Sequence, residues 1–107
     1  MRKEKPSIVI DHEATVLYTS LCRLNELQHR CIPVKSTAGR LDSIHIEIPK
    51  FDLVIRYLVN VKHQSERLLF YFRNGDVLSS MEVGFNQRQA ATLRRVIEDI
   101  LRQEAHL

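Results

Sequence analysis

Cysteine, histidine and carboxylate side chains are the residues of this 107-residue chain that could hold a metal ion. Cys22, His29 and Cys31 lie close together in the sequence, and zinc prefers thiolate and imidazole ligands. Their spacing matches no zinc-binding pattern. His45 and Glu47 would share one face of a strand, as two ligands of a site might. We interpret both sets as structural, and the sequence predicts no metal site and no cofactor.

Nucleophilic and acid–base chemistry also lack a motif. No serine or cysteine lies in the glycine-flanked turn that presents a nucleophile in hydrolases, because Gly39 and Gly84 do not form one. The acidic residues are scattered and mostly have basic neighbours, so no pair of carboxylates is positioned for hydrolysis. The sequence therefore predicts no catalytic residue and a protein that is not an enzyme.

The segment VKSTAGRLD, residues 34–42, contains the side chains that a phosphate-binding loop uses. It lacks the full glycine, lysine and hydroxyl spacing of such a loop. We interpret it as a plain surface loop, and an enzyme that uses this loop is the weakest functional hypothesis.

Length and composition indicate one folded domain over residues 1–107, with residues 1–6 as a basic, flexible lead-in. Hydrophobic residues make up 44% and charged residues 27% of the chain, which is typical of a globular protein rather than a disordered one. The net charge of +3 and the isoelectric point of about 9.1 allow contact with nucleic acid or an acidic protein, but require neither.

The sequence also predicts where in the cell the protein is located. No apolar segment follows the basic residues 1–5, and no run of about 18 apolar residues occurs, so we expect neither a secretory signal nor a membrane partner. On one helix Cys22 and Cys31 would lie roughly 13 Å apart, whereas a disulfide needs Cα atoms within about 7 Å. Free thiols fit a reducing compartment, and the prediction is a cytoplasmic protein.

The amino-terminal part of the chain predicts a helix from residue 12 to about residue 30. Residues 7–10 form either a short extra strand or an extended lead-in, and Asp11 is a good N-cap. Pro33 would end the helix. Its apolar stripe consists of Ala14, Leu17, Leu21, Leu24, Leu27 and Cys31.

Four alternating segments follow, each typical of a half-buried strand. Their apolar positions are Ile44, Ile46 and Ile48; then Phe51, Leu53, Ile55, Tyr57, Val59 and Val61; then Leu68, Phe70 and Phe72; and last Val77, Met81 and Val83. Asn74 and Gly75 form a strong signal for a hairpin with a two-residue turn.

A last helix begins after Asn86, its candidate N-cap. The apolar stripe of this helix consists of Ala90, Leu93, Val96, Ile97, Ile100 and Leu101. The predicted fold is therefore α+β, a four-stranded antiparallel meander between an N-terminal and a C-terminal helix.

The two turns predict a strand register. A two-residue turn places Tyr71 opposite Leu78, and a loop at residues 63–66 places Leu58 opposite Tyr71. The side with Phe70, which we call the inner face, suits the C-terminal helix as its cover. We call the other side the outer face. Its predicted apolar row is Leu58, Tyr71 and Leu78, flanked by Leu69 and Val54.

Charged residues border that row. One predicted edge carries Arg56, Arg73 and Asp76, and the other carries Lys62, Arg67 and Glu82. An apolar centre with a charged rim is typical of a protein interface. The first helix of this chain or another molecule could cover it, or the outer face could stay exposed.

These patterns lead to two functional hypotheses. The first is a small non-catalytic interaction or regulatory protein that binds itself, as a homodimer or larger oligomer, or binds a protein partner. Its predicted contact residues are Leu58, Leu69, Tyr71, Leu78, Arg56 and Arg73. The alternative is binding of single-stranded nucleic acid, with Tyr71 as a stacking platform. Its predicted contact residues are Arg56, Lys62, Arg67, Arg73, Arg88, Arg95 and Arg102.

Overall fold

A computed structural model describes residues 14–63 and 67–104 of the chain. The described part of helix α1 covers residues 14–21, and a 3-10 turn follows at Leu24–Glu26. The strands are β1 (Arg30–Lys35), β2 (Leu41–Ile48), β3 (Leu53–Leu58), β4 (Leu68–Phe72) and β5 (Val77–Ser79), with a 3-10 turn at Pro49–Phe51. Helices α2 (Ser80–Val83) and α3 (Gln87–Glu104) complete the chain.

All five strands form one antiparallel sheet in the order β1-β2-β3-β4-β5. The predicted α+β meander is confirmed, with one strand more than expected. The predicted lead-in at 1–6, the alternative strand at 7–10 and the Asp11 cap lie outside the described residues. No helix in the described part of the chain is long and apolar enough to cross a membrane.

The additional strand corrects the predicted first helix. That helix ends at residue 21, and residues 30–35 pair with β2 instead, with Cys31 opposite Ile46. Pro33 is tolerated because β1 is an edge strand. The predicted apolar stripe still forms core, since Leu21 and Leu24 are almost fully buried. The prediction was right about which residues are buried, because a 3-10 turn can also direct side chains inward. It was wrong about the length of the helix.

The loop predicted at residues 34–42 is shorter than expected: residues 34–35 end β1, residues 41–42 begin β2, and residues 36–40 form the turn between them. The backbone N–H of Ser36 donates to the carbonyl of Arg40 over 2.7 Å, and the N–H of Gly39 donates to Ser36 over 2.9 Å. Gly39 has a φ of +84°, the left-handed conformation that such a tight turn needs. The segment is therefore a short hairpin turn between β1 and β2.

The turn between β4 and β5 has three residues rather than two. The N–H of Phe72 donates to the carbonyl of Asp76, and the N–H of Gly75 donates to the carbonyl of Phe72, each over 2.9 Å. Gly75 has a φ of +97°, as the last residue of a three-residue hairpin loop often does. Leu78 consequently lies opposite Phe70 instead of Tyr71, so the predicted register is wrong by one residue.

The connection between β3 and β4 is longer than predicted. The N–H of Leu58 donates to the carbonyl of Arg67 over 2.7 Å, and Tyr71 lies opposite Val54 rather than Leu58. The shift from residue 58 to residue 54 is even. Because side chains alternate with a period of two, β3 keeps its predicted faces despite the wrong register.

The fourth predicted strand ends early because a capping box starts α2. The N–H of Ser79 donates to the carboxylate of Glu82 over 2.8 Å, and the N–H of Glu82 donates to the Ser79 hydroxyl over 3.2 Å. Val83 joins the core, whereas Met81 is 75% exposed. The prediction that these two residues continue the strand, and that Glu82 borders the outer face, is wrong.

Helix α3 follows its prediction closely. The N–H of Gln89 donates to the Asn86 side chain over 2.8 Å, and the N–H of Asn86 donates to the Gln89 side chain over 2.9 Å. These bonds confirm Asn86 as the cap. The buried face of α3 consists of Ala90, Leu93, Ile97 and Ile100.

Both long helices pack on the inner face of the sheet. Leu21 of α1, Leu93 of α3 and Phe70 of β4 belong to one buried cluster. Phe85 joins these layers, since its ring centroid lies 5.7 Å from that of Phe70 and 5.9 Å from that of Tyr18. The first helix therefore lies beside the last one and does not cover the outer face.

Candidate functional site

Strand pairing defines the outer face of the sheet. Three cross-strand rows are Arg30–Glu47–Val54–Tyr71–Val77, Ile32–His45–Arg56–Leu69–Ser79 and Val34–Ser43–Leu58. Seven of these side chains are apolar or aromatic, and none of the seven belongs to the buried core or packs against it: Ile32, Val34, Val54, Leu58, Leu69, Tyr71 and Val77. The outer face thus combines seven apolar or aromatic side chains with six polar or charged ones.

The predicted apolar row is only partly correct. Leu58, Leu69, Tyr71 and Val54 lie on the outer face, but Leu78 packs against the core on the inner face. Leu58 and Tyr71 also lie in different rows, so they are not cross-strand neighbours.

Val77 takes the place predicted for Leu78. Its side chain is 47% exposed and completes a continuous apolar line with Tyr71 and Val54. Sequence reasoning missed Val77 because it assumed a two-residue turn. The alternative of a three-residue turn with Gly75 last would have found it.

Arg56 occupies the centre of the outer face, not the edge where it was predicted. Its Nε donates to the hydroxyl of buried Ser43 over 3.3 Å, and its Nη1 donates to the Tyr71 hydroxyl over 3.2 Å. Its cross-strand neighbour His45 has a buried Nε2 without a hydrogen-bond partner in the described part of the chain. Arg56 thereby orients Tyr71 along the surface of the sheet.

The rim near the β4–β5 turn is charged. Nη1 of Arg73 lies 3.1 Å from the Asp52 carboxylate, and both side chains are largely exposed. Asp76 instead accepts from the Asn74 side chain over 3.0 Å. A shallow depression of about 400 Å³ lies between this rim and the apolar line, with Val54, Tyr71 and Arg73 among its lining residues.

Arg67 does not contribute to the outer face. Its Nη1 donates to the Tyr57 hydroxyl over 3.1 Å, and its guanidinium carbon lies 5.8 Å from the centre of the Tyr57 ring. The Tyr57 hydroxyl in turn donates to Glu98 of α3 over 2.6 Å. Burial raises the pKa of Tyr57, and the hydrogen bond to Glu98 raises it further. This network joins the end of the sheet to α3.

The predicted nucleic-acid residues do not share one surface. Arg88 and Arg95 are exposed on α3, and Arg102 forms an ion pair with Asp99. Because α3 packs on the inner face, its exposed side points away from Arg56 on the outer face. Lys62 is exposed in the connection between β3 and β4. The predicted nucleic-acid residues thus lie on opposite sides of the molecule. Nucleic-acid binding stays a prediction.

A second cluster of side chains lies where β1 begins and α3 ends. His29, Cys31 and Glu104 each present one potential ligand atom, and these atoms lie within 4.8 Å of one another. Cys22, which the sequence grouped with His29 and Cys31, is not part of this cluster. Sequence spacing could not reveal it, because Glu104 is contributed by the other end of the chain.

The two cysteines are free thiols, as predicted. Burial raises the pKa of the Cys31 thiol to about 11, and the negative charge of Glu104 adds to the effect. A thiol is a poor nucleophile while it keeps its proton. The environment of Cys31 therefore does not activate it for nucleophilic catalysis at neutral pH.

Comparison of the chain with protein-family models, with curated proteins and with solved structures found no match. On the outer face, seven apolar or aromatic side chains lie where a sheet in contact with water would normally carry polar ones.

Proposed function

We propose that this chain is a small non-catalytic interaction protein, and that the outer face of its sheet binds a second copy of the chain. The observation that carries the proposal is the arrangement in two layers. Both long helices pack on the inner face, while seven apolar or aromatic side chains lie on the outer face. An antiparallel sheet that faces water on one side normally carries polar residues there.

The apolar line of Val54, Tyr71 and Val77 is the suggested centre of contact. Burial of a large apolar side chain contributes roughly 1.5–3 kcal/mol, so a few such residues can support a stable complex. Tyrosine is common among the residues that dominate binding energy, and Arg56 already holds the Tyr71 side chain in place. The Tyr71 side chain would then lose less conformational entropy when the second copy binds.

The charges favour a second copy as the occupant. Arg30 and Glu47 form a cross-strand pair on the outer face, and Arg73 pairs with Asp52 at its rim. A symmetric dimer places the same surface on both sides of the contact. A face of one charge sign would repel its copy, whereas a face with both signs can pair with itself. A different protein is the alternative occupant.

The test is the association state of the full chain over a range of concentrations, measured by sedimentation equilibrium. The variants are Tyr71→Asp and Val77→Asp, which place a charge on the apolar line. The control is Val16→Asp, because Val16 is a 55% exposed apolar residue on α1. We expect a wild-type dimer whose dissociation constant rises at least about tenfold in both variants.

The control should associate like the wild type. A wild-type chain that stays monomeric at every concentration would overturn the proposed self-association. So would Val16→Asp weakening the dimer as much as Tyr71→Asp. Circular dichroism of each variant separates lost association from lost folding.

A further inference from the structure

Three potential metal ligands converge from two distant parts of the chain. His29 and Cys31 lie at the start of β1, and Glu104 lies at the end of α3. Their ligand atoms are within 4.8 Å of one another. Ligand atoms around a tetrahedral zinc ion lie roughly 3.5 Å apart. Side-chain movements of about 1 Å would therefore bring these three atoms to zinc-binding distances.

The imidazole of His29 forms a hydrogen bond that would leave Nε2 as its metal-binding nitrogen. Its Nδ1 lies 2.8 Å from the carbonyl oxygen of Leu27. A carbonyl can only accept, so Nδ1 carries the hydrogen of the neutral ring and Nε2 keeps a free lone pair. A hydrogen bond of this kind from the second ring nitrogen is typical of metal-binding histidines.

The ligand types select the metal. Imidazole, thiolate and carboxylate are all zinc ligands, while magnesium and calcium prefer sites made of oxygen alone. One thiolate and one carboxylate also balance the two positive charges of the ion. The thiol proton of Cys31 would pass to the solvent when the metal binds.

We propose that His29, Cys31 and Glu104 bind zinc or a closely similar divalent transition-metal ion, with water in the fourth position. The ion would join the end of α3 to the edge strand β1. Cys31 lies on the inner side of the sheet, opposite Ile46, so this site is separate from the outer face. The inference does not depend on the proposed function.

The experiment titrates the full chain with Co²⁺ and follows the thiolate-to-cobalt absorption band. The variants are Cys31→Ser, His29→Gln and Glu104→Gln. The matched control is Cys22→Ser, because Cys22 is the other free cysteine and lies outside the cluster. We expect Cys31→Ser to abolish the band, and His29→Gln and Glu104→Gln to raise the dissociation constant at least about tenfold.

The control and Tyr71→Asp should bind Co²⁺ like the wild type. The proposal is overturned if the wild type gives no band or if Cys22→Ser removes it. It is also overturned if His29→Gln and Glu104→Gln keep wild-type affinity, since Cys31 would then act alone.

A second measurement uses the unmodified chain, so it does not depend on whether a variant folds. Zn²⁺ should slow alkylation of Cys31 and leave alkylation of Cys22 unchanged, as read by peptide mapping. It should also raise the melting temperature, because a ligand that binds only the folded state stabilises that state. Equal protection of both cysteines, or none, would contradict the assignment.

Discussion

The hydroxyl of Tyr57 donates a 2.6 Å hydrogen bond to the carboxylate of Glu98, and so connects β3 with α3. Arg67, the residue before β4, donates to the same hydroxyl. Three partly buried polar side chains therefore bond to one another between the sheet and the helix, while the buried Nε of Arg67 has no hydrogen-bond partner in the described part of the chain. Loss of the central hydroxyl would leave both neighbours without this partner, which is costly in a partly buried place.

We expect Tyr57→Phe to lower the free energy of unfolding by about 1–3 kcal/mol. The control is Tyr71→Phe, which removes a hydroxyl that accepts one hydrogen bond from Arg56 on the outer face. The control should cost less than about 1 kcal/mol, because Tyr71 is less buried than Tyr57 and its hydroxyl takes part in one hydrogen bond instead of two. Urea denaturation of the three proteins measures both differences, and equal losses would contradict the role given to Tyr57.

The pKa of Tyr57 leads to a pH dependence. Burial and the bond to Glu98 raise this pKa above its ordinary value of 10.0. Above about pH 10 the unfolded chain loses the tyrosine proton while the folded chain keeps it, so the unfolded state gains stability. The stabilisation is fully present below pH 10 and is lost as the pH rises through the folded-state pKa.

We therefore expect the stability difference between wild type and Tyr57→Phe to shrink as the pH rises above about 10. Comparing the two proteins removes the contribution of groups that both contain, including Tyr18 and Cys31. Urea denaturation at several pH values provides the measurement. A difference that grows above pH 10 would mean that the pKa of Tyr57 is lowered instead.

The one-residue register shift at the β4–β5 hairpin predicts opposite behaviour for two neighbours. Leu78→Asp places a carboxylate on the inner face against the core, and we expect a loss of at least about 2 kcal/mol. Val77→Asp changes an exposed side chain and should cost less than about 1 kcal/mol in the monomer. Thermal unfolding at low protein concentration measures both. A larger loss for Val77→Asp than for Leu78→Asp would contradict the three-residue turn and favour the register of the two-residue turn.

These cases show what the sequence could predict. The cap at Asn86 and the apolar stripe of α3 were correct, because helix caps and a period of 3.6 are local signals. The two faces of β3 and β4 were also correct, since alternation survives any even shift in register.

The wrong predictions concern features that depend on contacts between distant residues or on turn length, which local sequence patterns do not determine. The residues of β1 follow an apolar stripe that fits a helix, and their strand conformation depends on pairing with β2. Turn length decided the face of Leu78, and one residue was enough to move it. The approach of Glu104 to His29 and Cys31 depends on the completed fold, so no spacing rule could show it.

Substitution of Gly75 tests the three-residue turn between β4 and β5 directly. Gly75 has a φ of +97°, and an added Cβ would have no atom within 4 Å, so substitution by alanine meets backbone strain and no steric contact. We expect Gly75→Ala to destabilise the fold by about 1–2 kcal/mol. Gly75→Asn should cost less, because asparagine enters the left-handed region more readily than alanine does. Chemical denaturation of both variants makes the comparison, and equal stability of Gly75→Ala and wild type would show that the turn does not require this conformation.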